Sequence, residues 1–573
     1  ISCIVGVFAF SYLPLYSKTY NVSLTNALTA FFIFGMQLVL ISSTPISFLA
    51  GWEIMSLSSF FLVFADRQPE SIKAALFYLI MTHLGAGAIL ASFMILSSGS
   101  LLASFNDMAS ISAGLSVGAI GLSFGLALFG FGSKAGLWPF HVWLPEAHPQ
   151  APSHISALMS GVMLKLALYC FLRLALFVWA PIPASWCLVI ILLGLISAIY
   201  GVLYAVVERD LKRLLAYSSM ENLGLIFTMV GVALLAKAIN QPALFVIAIA
   251  AAIFHSLAHA IFKSGLFMGA GVIISQIHDR SLEVMGGLAN RMPKFSGAML
   301  ILILAAAAQP PLSGFVGEWL FLQELVSTIN QVTPFQQGVL ILVLATFSFV
   351  GGLSVFAMIK MFAMIFLAEP RSSHAAHATE PKVGLAGPIA LMAGLSVLAG
   401  LLAPMILQAI QFGALTTSTG LRAGLSLTNG QYFPGLIAGL LLATIALGYF
   451  FRHLLSNPNF ERSYHTWDCG QPITAQMEYT ATAFSAPIRF FFRMMLRTNK
   501  IVVATPVIAT NKWIASHEFS LEIRRIWVEL IYQPISRGTL FLSTSIRRLQ
   551  NGVIQFYIAL ILLALVVTIA LTI

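Results

Sequence analysis

The chain has 573 residues, of which 59% are hydrophobic and only 9% charged, against about 25% charged in an average soluble domain. This composition excludes a water-soluble globular protein and describes an all-α polytopic membrane protein. The net charge of +10 belongs to loops at a membrane surface and gives no indication of nucleic-acid binding.

At about 20 apolar residues per crossing, the sequence predicts roughly fourteen transmembrane helices. They fall near 1–15, 25–42, 46–65, 73–97, 115–136, 154–178, 183–207, 213–236, 243–275, 296–328, 336–367, 386–412, 432–452 and 552–573. The chain starts at Ile1, inside an apolar run with no basic leader before it, so the N-terminal helices of 1–45 are expected to be incomplete. Two spans must be interrupted. Gly136 and Pro139 break the one near 115–136, and Pro310, Pro311 and Gly314 break the one near 296–328. The span near 243–275 is long for one crossing, and Lys263-Ser264-Gly265 predicts a bend or loosened turn inside it.

Loop charge tests the count. Loops after odd-numbered spans hold Lys18, Arg67, Lys73, Arg209, Lys212, Arg213, Arg280, Arg291, Lys294, Arg371 and Lys382, whereas loops after even-numbered spans hold Lys237 and Arg422. The basic side is therefore expected in the cytoplasm, with both observed termini on the outer side. The segment 453–551 interleaves arginine with aromatics, as in IRFFFRMMLR, and predicts a helical segment lying along the interface, with a plain cytoplasmic loop as the alternative. The expected divisions are 46–236 and 237–412 as two halves, 413–452 as an additional helix, 453–551 as the interfacial segment and 552–573 as the last helix.

Ionisable residues inside apolar spans are costly and normally face a hydrated path or a partner. Lys134 stands at the first break, and a carboxylate at Glu53 is its expected partner; a snorkelling lysine and a static ion pair are the alternatives. Lys165 follows on the next helix, where burial disfavours its ammonium form. His255, His259 and Lys263 recur at i, i+4 and i+8 and so share one helix face. Imidazoles both donate and accept near neutral pH, which suits a proton relay. Two histidines one turn apart can also hold zinc, but the motif carries no acidic or thiol ligand. Glu318 beside the second break mirrors Lys134 beside the first, and such paired interruptions point to an inverted repeat with an ion path at its centre. Secondary candidates are Glu221, Glu324, Lys360 (partner of Glu318 or snorkelling) and the isolated His83.

No Gly-rich nucleotide loop is present, and Cys3, Cys170, Cys187 and Cys469 form no CxxC pair. No metal site or cofactor is therefore expected on this chain.

The stretches GWEIMSLSSFFL, GSKAGLWPFHVWLPEAHPQAPSHISALMSGVMLKLALY, ERDLKRLLAYSSMENLG, HSLAHAIFKSGLF and PPLSGFVGEWL resemble the antiporter-like proton-translocating subunits shared by respiratory complex I, Mrp-type antiporters and membrane-bound hydrogenases. The C-terminal stretches TWDCGQPITAQMEYTATAFSAPIRFFF and RLQNGVIQFYIALILLALV look like the large antiporter-like subunit of formate hydrogenlyase and related group 4 hydrogenases. The resemblance implies that Glu53 and Lys134 form the family's glutamate–lysine pair and that Lys165 is the lysine of the next helix. It further implies that His255, His259 and Lys263 form the central axis and that Glu318 is the terminal charged residue. It implies transport of protons or sodium ions in a bacterial or archaeal cytoplasmic membrane. The implied partners are other membrane subunits, lipids and a peripheral redox arm, whose iron–sulfur clusters and NiFe centre lie off this chain. An Mrp-type antiporter without redox partners, or a scaffold that has lost transport, are the alternatives. Some relatives carry Arg and Asp where this chain has His83 and Ala86.

Overall fold

The computed structural model describes residues 1–179, 182–415, 434–455, 469–471, 474–508, 511–524, 526–547 and 554–572. Arg422 and the 456–468 part of the expected interfacial segment lie outside them. Residues 1–492 form one compact unit and residues 493–573 a second.

The first unit begins with α1 (Ser2–Tyr12), α2 (Val22–Ile41), α3 (Pro45–Val63), α4 (Pro69–Leu96) and the short α5 (Phe105–Ser112). Next come α6 (Val117–Ala135), α7 (Leu144–Gln150), α8 (Ser153–Leu158) and α9 (Leu164–Arg173), then α10 (Ala184–Val207), α11 (Leu211–Ala238) and α12 (Pro242–Ile277). The rest comprises α13 (Leu288–Arg291), α14 (Pro293–Ala306), α15 (Ser313–Thr328), α16 (Pro334–Phe366), α17 (Ser373–Ala376), α18 (Val383–Leu401), α19 (Ala403–Leu415), α20 (Pro434–Leu455), α21 (Ala481–Phe484) and α22 (Ala486–Phe491). Among the described residues, eleven helical stretches, counting α6–α7 and α8–α9 as one each, are long and apolar enough to cross a membrane. Ser2–Tyr16, Pro293–Ala306 and Tyr557–Ala570 are apolar but shorter.

Local chemistry sets the starts of these helices. Thr44 and Ser47 close a capping box at α3, with Pro45 in the first turn, and the Ser116 hydroxyl accepts the Ala119 N–H at α6. Small residues set the close approaches. A Cβ on Gly201 of α10 would lie 2.5 Å from the Glu221 nitrogen of α11, so the two backbones meet where only hydrogen fits. α11 is enclosed by its neighbours along its whole apolar length.

Two expectations about helices change. α12 runs as continuous α-helix for 36 residues, so the loosened turn that Lys263-Ser264-Gly265 offered as one reading is not formed. Gly265 serves packing there, because a Cβ on it would lie 2.6 Å from Leu302 Cδ1 of α14. The span after Ala151 holds a π-turn at Met159–Met163, between α8 and α9, that no sequence signal announced.

The loop pairings bear on the parity of the spans. Asp210 and Ser281 form an isolated antiparallel bridge, Arg280 pairs with Asp210 at 3.2 Å, and Arg371 donates to the Met285 carbonyl. Glu283 accepts the Ala481 and Thr482 N–H groups at the start of α21. These loops follow odd-numbered spans and gather at one end of the helices.

The second unit contains α23 (Arg493–Leu496), β1 (Thr498–Ile508), β2 (Asn511–Ile523), α24 (Gln533–Arg547) and α25 (Ile554–Thr572). The antiparallel β1–β2 hairpin, with Thr498 opposite Ile523, replaces helix in the middle of the segment expected to be helical. Its sequence explains the change: KIVVATPVI is rich in β-branched residues, which favour strands. Pro506, which cannot donate to the ladder, sits where the register shifts.

Candidate functional site

The first break places Lys134 in the last turn of α6. Gly136 takes the left-handed conformation at φ +77° and ends the helix. Leu137 N–H returns to the Gly132 carbonyl, and the Trp143 indole donates to the Ser133 carbonyl at 2.8 Å, tying the link back onto the helix it leaves. The Lys134 side chain is buried, 2% exposed. Its ammonium donates to Ser56 Oγ at 2.9 Å and Tyr78 OH at 2.8 Å, and it stands over the Tyr78 and Trp52 rings. Tyr78 in turn bonds Ser59 at 2.7 Å and donates to Met163 Sδ in the π-turn at 3.6 Å.

The expected contact between Glu53 and Lys134 is not made. Glu53 Oε2 lies 3.3 Å from His83 Nε2, on the half-exposed face shared by α3 and α4. Trp52 and Ser56 turn toward Lys134 instead, while Glu53 stays within electrostatic reach of it. His83, which looked isolated in sequence, therefore has a carboxylate partner.

Lys165 follows the π-turn and donates to the Ser160 carbonyl at 2.5 Å. Ser160 Oγ meets Ser219 Oγ at 2.8 Å, Ser219 donates to the Leu215 carbonyl at 2.8 Å, and the Lys263 ammonium reaches that same carbonyl at 3.5 Å. A serine pair thus links the two lysines. Glu221 is buried beside this link and its charge interacts with that of Lys263.

His255 Nε2 lies 3.1 Å from Asn222 Oδ1 and 3.9 Å from Glu318 Oε1. Gly317 permits this approach, since a Cβ there would fall 2.9 Å from His255 Cβ. His259 is fully buried, with neither ring nitrogen hydrogen-bonded to a described residue. Ser313 opens α15 and bonds Ser396 of α18 at 2.8 Å, fixing the second break. Glu324 accepts from Thr328 one turn along its own helix and lies off this line.

Lys360 is neither the partner of Glu318 nor a snorkelling side chain. Wholly buried, it donates at 2.6 Å to the carbonyls of Val206 and Glu208 and caps α10.

Sequence reasoning passed over Ser56, Tyr78, Ser160, Ser219 and Asn222, all neutral groups in apolar helices. It also passed over His141, His148 and His154, which are buried around the first break. Among the described residues no cluster of three or more His, Cys, Asp or Glu side chains gathers.

Membrane-crossing helices, two interrupted ones and a polar line between them define an ion-translocating type of membrane protein. Residues 42–348 match the family described as NADH:quinone oxidoreductase/Mrp antiporter, transmembrane, and the chain belongs to that family. It is 38% identical over 554 residues to hydrogenase-4 component B of Escherichia coli, covering 94% of this chain and 81% of that protein. It is 32% identical over 419 residues to formate hydrogenlyase subunit 3 of the same organism, covering 72% and 67%. Its fold matches a chain in the structure of an archaeal respiratory membrane complex, the membrane-bound sulfane sulfur reductase. That match has a TM-score of 0.79 at 23% identity, over 99% of this chain and 87% of that one.

Proposed function

We propose that this chain is the proton- or sodium-translocating membrane subunit of a redox-driven complex of the hydrogenase or complex I type. The observation that carries this reading is the set of ionisable groups held inside the helices between the two breaks. Lys134 bonds Ser56 and Tyr78 at the first, the Ser160–Ser219 pair joins Lys165 to Lys263, and His255 meets Asn222 and Glu318 at the second. Buried charges are expensive to keep for packing alone. The electron chemistry belongs to partner subunits, whose iron–sulfur clusters and NiFe centre supply the driving energy. The chain sits in a bacterial or archaeal cytoplasmic membrane with its basic loops inside. Residues 46–236 and 237–412 are the two halves that flank the path.

The test is ion pumping by the intact complex reconstituted in vesicles. Lys134→Ala and Glu318→Ala each abolish it; normal pumping by both variants removes the relay. Subunits that co-purify with the chain separate a redox complex from an Mrp-type assembly.

A further inference from the structure

Two histidines on one face of α12 are held differently. His259 has neither ring nitrogen hydrogen-bonded to a described residue, so no such contact chooses between its tautomers. His255, one turn earlier, faces an amide whose orientation is fixed. Asn222 Nδ2 lies 2.9 Å from the Ser218 carbonyl, one turn back on α11. A carbonyl oxygen only accepts, so the NH2 end of the amide points there; turned the other way, two oxygens would meet with no proton between them. Asn222 Oδ1 therefore faces His255 Nε2, at 3.1 Å. That oxygen also only accepts, so Nε2 carries a proton, and the neutral ring is bare at Nδ1.

The rest of the surroundings leave Nδ1 open. Glu318 Oε1 of α15 stands 3.9 Å from Nε2, too far for a hydrogen bond. The Gly314 backbone approaches the ring, yet Nδ1 makes no hydrogen bond with a described residue, although His255 is buried. Lys165 acts on the ring through its charge. α18, which also packs on α12, carries no ionisable side chain. A buried acceptor without a protein partner is a place for a water molecule.

Resting on the proposed translocation, we propose that Asn222 pins His255 as the Nε2–H tautomer, so that His255 takes up and gives up protons at Nδ1 alone and none crosses its ring. A proton from the Lys263 side, delivered through water, bonds to the Nδ1 lone pair and makes an imidazolium. The Nε2–H bond, and its contact with Asn222, are kept throughout. The new charge lies beside Glu318 and drives off the proton that its carboxyl holds: the O–H bond breaks, the electron pair stays on oxygen, and the proton leaves toward the outer side. The Nδ1–H bond then breaks with its electron pair left on nitrogen, and that proton passes through water to the emptied carboxylate. One proton has entered and one has left, and the ring is back in its first tautomer without a flip. Passage from Nδ1 through to Nε2 would instead leave two lone pairs facing each other across the 3.1 Å to Asn222 Oδ1, and would require a reset before the next proton. Asn222 is a positioning residue in this scheme, since it acts through His255.

The test reads the tautomer directly, by infrared difference spectroscopy of the intact complex in membranes, with isotope-labelled histidine and the spectrum of the His255→Gln complex subtracted. At alkaline pH, where the ring is neutral, the resting wild type shows the Nε2–H form, and no Nδ1–H form builds up during turnover. Asn222→Leu, similar in size but without an acceptor, moves part of the signal to the Nδ1–H form and slows redox-driven uptake by up to about tenfold. Asn222→Asp keeps an oxygen in place and keeps the Nε2–H signature. An Nδ1–H form in the wild type, at rest or in turnover, overturns the proposal, as does an unchanged signal in Asn222→Leu or a lost one in Asn222→Asp. Should Asn222→Leu not assemble, Asn222→Ala is judged by the same signal. The resting signal needs no transport, so its failure removes this inference alone. Normal pumping by Lys134→Ala and Glu318→Ala removes the proposed function beneath it.

Discussion

At the first break the charged side chain comes before the gap, and at the second it comes after. Lys134 occupies the last turn of α6, at the negative pole of that helix, which favours a cation directly. Glu318 is the sixth residue of α15, about a turn and a half beyond the positive pole, where the field of the helix end has largely decayed. The two sites also differ in company. Lys134 is 2% exposed and held by two hydroxyls, whereas the Glu318 side chain is 17% exposed and faces an imidazole at 3.9 Å. The same architectural device therefore serves a tightly gripped cation at one end and a loosely held carboxylate at the other. Under the proposed translocation, the grip suits a group that must be made to release its proton, and the looser contact suits a group that exchanges freely.

The comparison can be broken most directly by removing each charge while keeping its shape. Lys134→Met is expected to slow ion transport by about 10²–10⁴-fold, and Glu318→Gln by a smaller factor, measured in vesicles. Equal sensitivity to both, with identical pH profiles, would contradict the asymmetry. Tyr78→Phe removes one hydrogen bond to the ammonium, a loss of about 1.5–3 kcal/mol, and is expected to change transport by ten- to a hundredfold. Asn222→Ala, which unties His255 at the looser end, is expected to cost no more than about tenfold. Ser160→Ala, between the two ends, should slow transport a few-fold and leave assembly intact, as read by the yield of purified complex.

The smallest effect lies away from both breaks. Asp107 accepts the backbone N–H and hydroxyl of Ser104 at the start of α5, which holds its carboxyl below the usual value of 3.8. A lowered folded value means that its support is complete above the unfolded value and lost as pH falls through the folded one. Thermal melts of Asp107→Ala should therefore fall slightly below wild type at pH 6 and converge with it at strongly acid pH. Neither break should respond.

What could be read from sequence followed from strong local signals. Gly136 with Pro139, and Pro310-Pro311 with Gly314, announced both interruptions, because such residues cannot continue a helix at low cost. The i, i+4, i+8 spacing placed His255, His259 and Lys263 on one face. The partners of these groups were less legible. Ser56, Tyr78 and Asn222 are ordinary residues whose role comes from which helix lies opposite, and opposition is not written in a periodic pattern. Glu53 and Lys134 were expected to touch because they are the charges of neighbouring spans, yet the rotation of α3 about its axis turned Glu53 toward His83. Lys360 illustrates the same limit: in sequence it was a stray charge, and in space it satisfies the open carbonyls of α10. The β1–β2 hairpin was missed because its arginine- and aromatic-rich flanks dominated a window whose centre is β-branched.

The unbroken length of α12 carries a consequence for the bilayer itself. At about 1.5 Å per residue, its 36 residues reach about 54 Å, well beyond a hydrocarbon layer of about 30 Å. Such a rod must lean or project past the lipid tails. His259 stands at its eighteenth position, so the imidazole lies midway along the helix. Most of that helix is enclosed by its neighbours, so its lean is set by their packing and the bilayer must fit itself to the bundle.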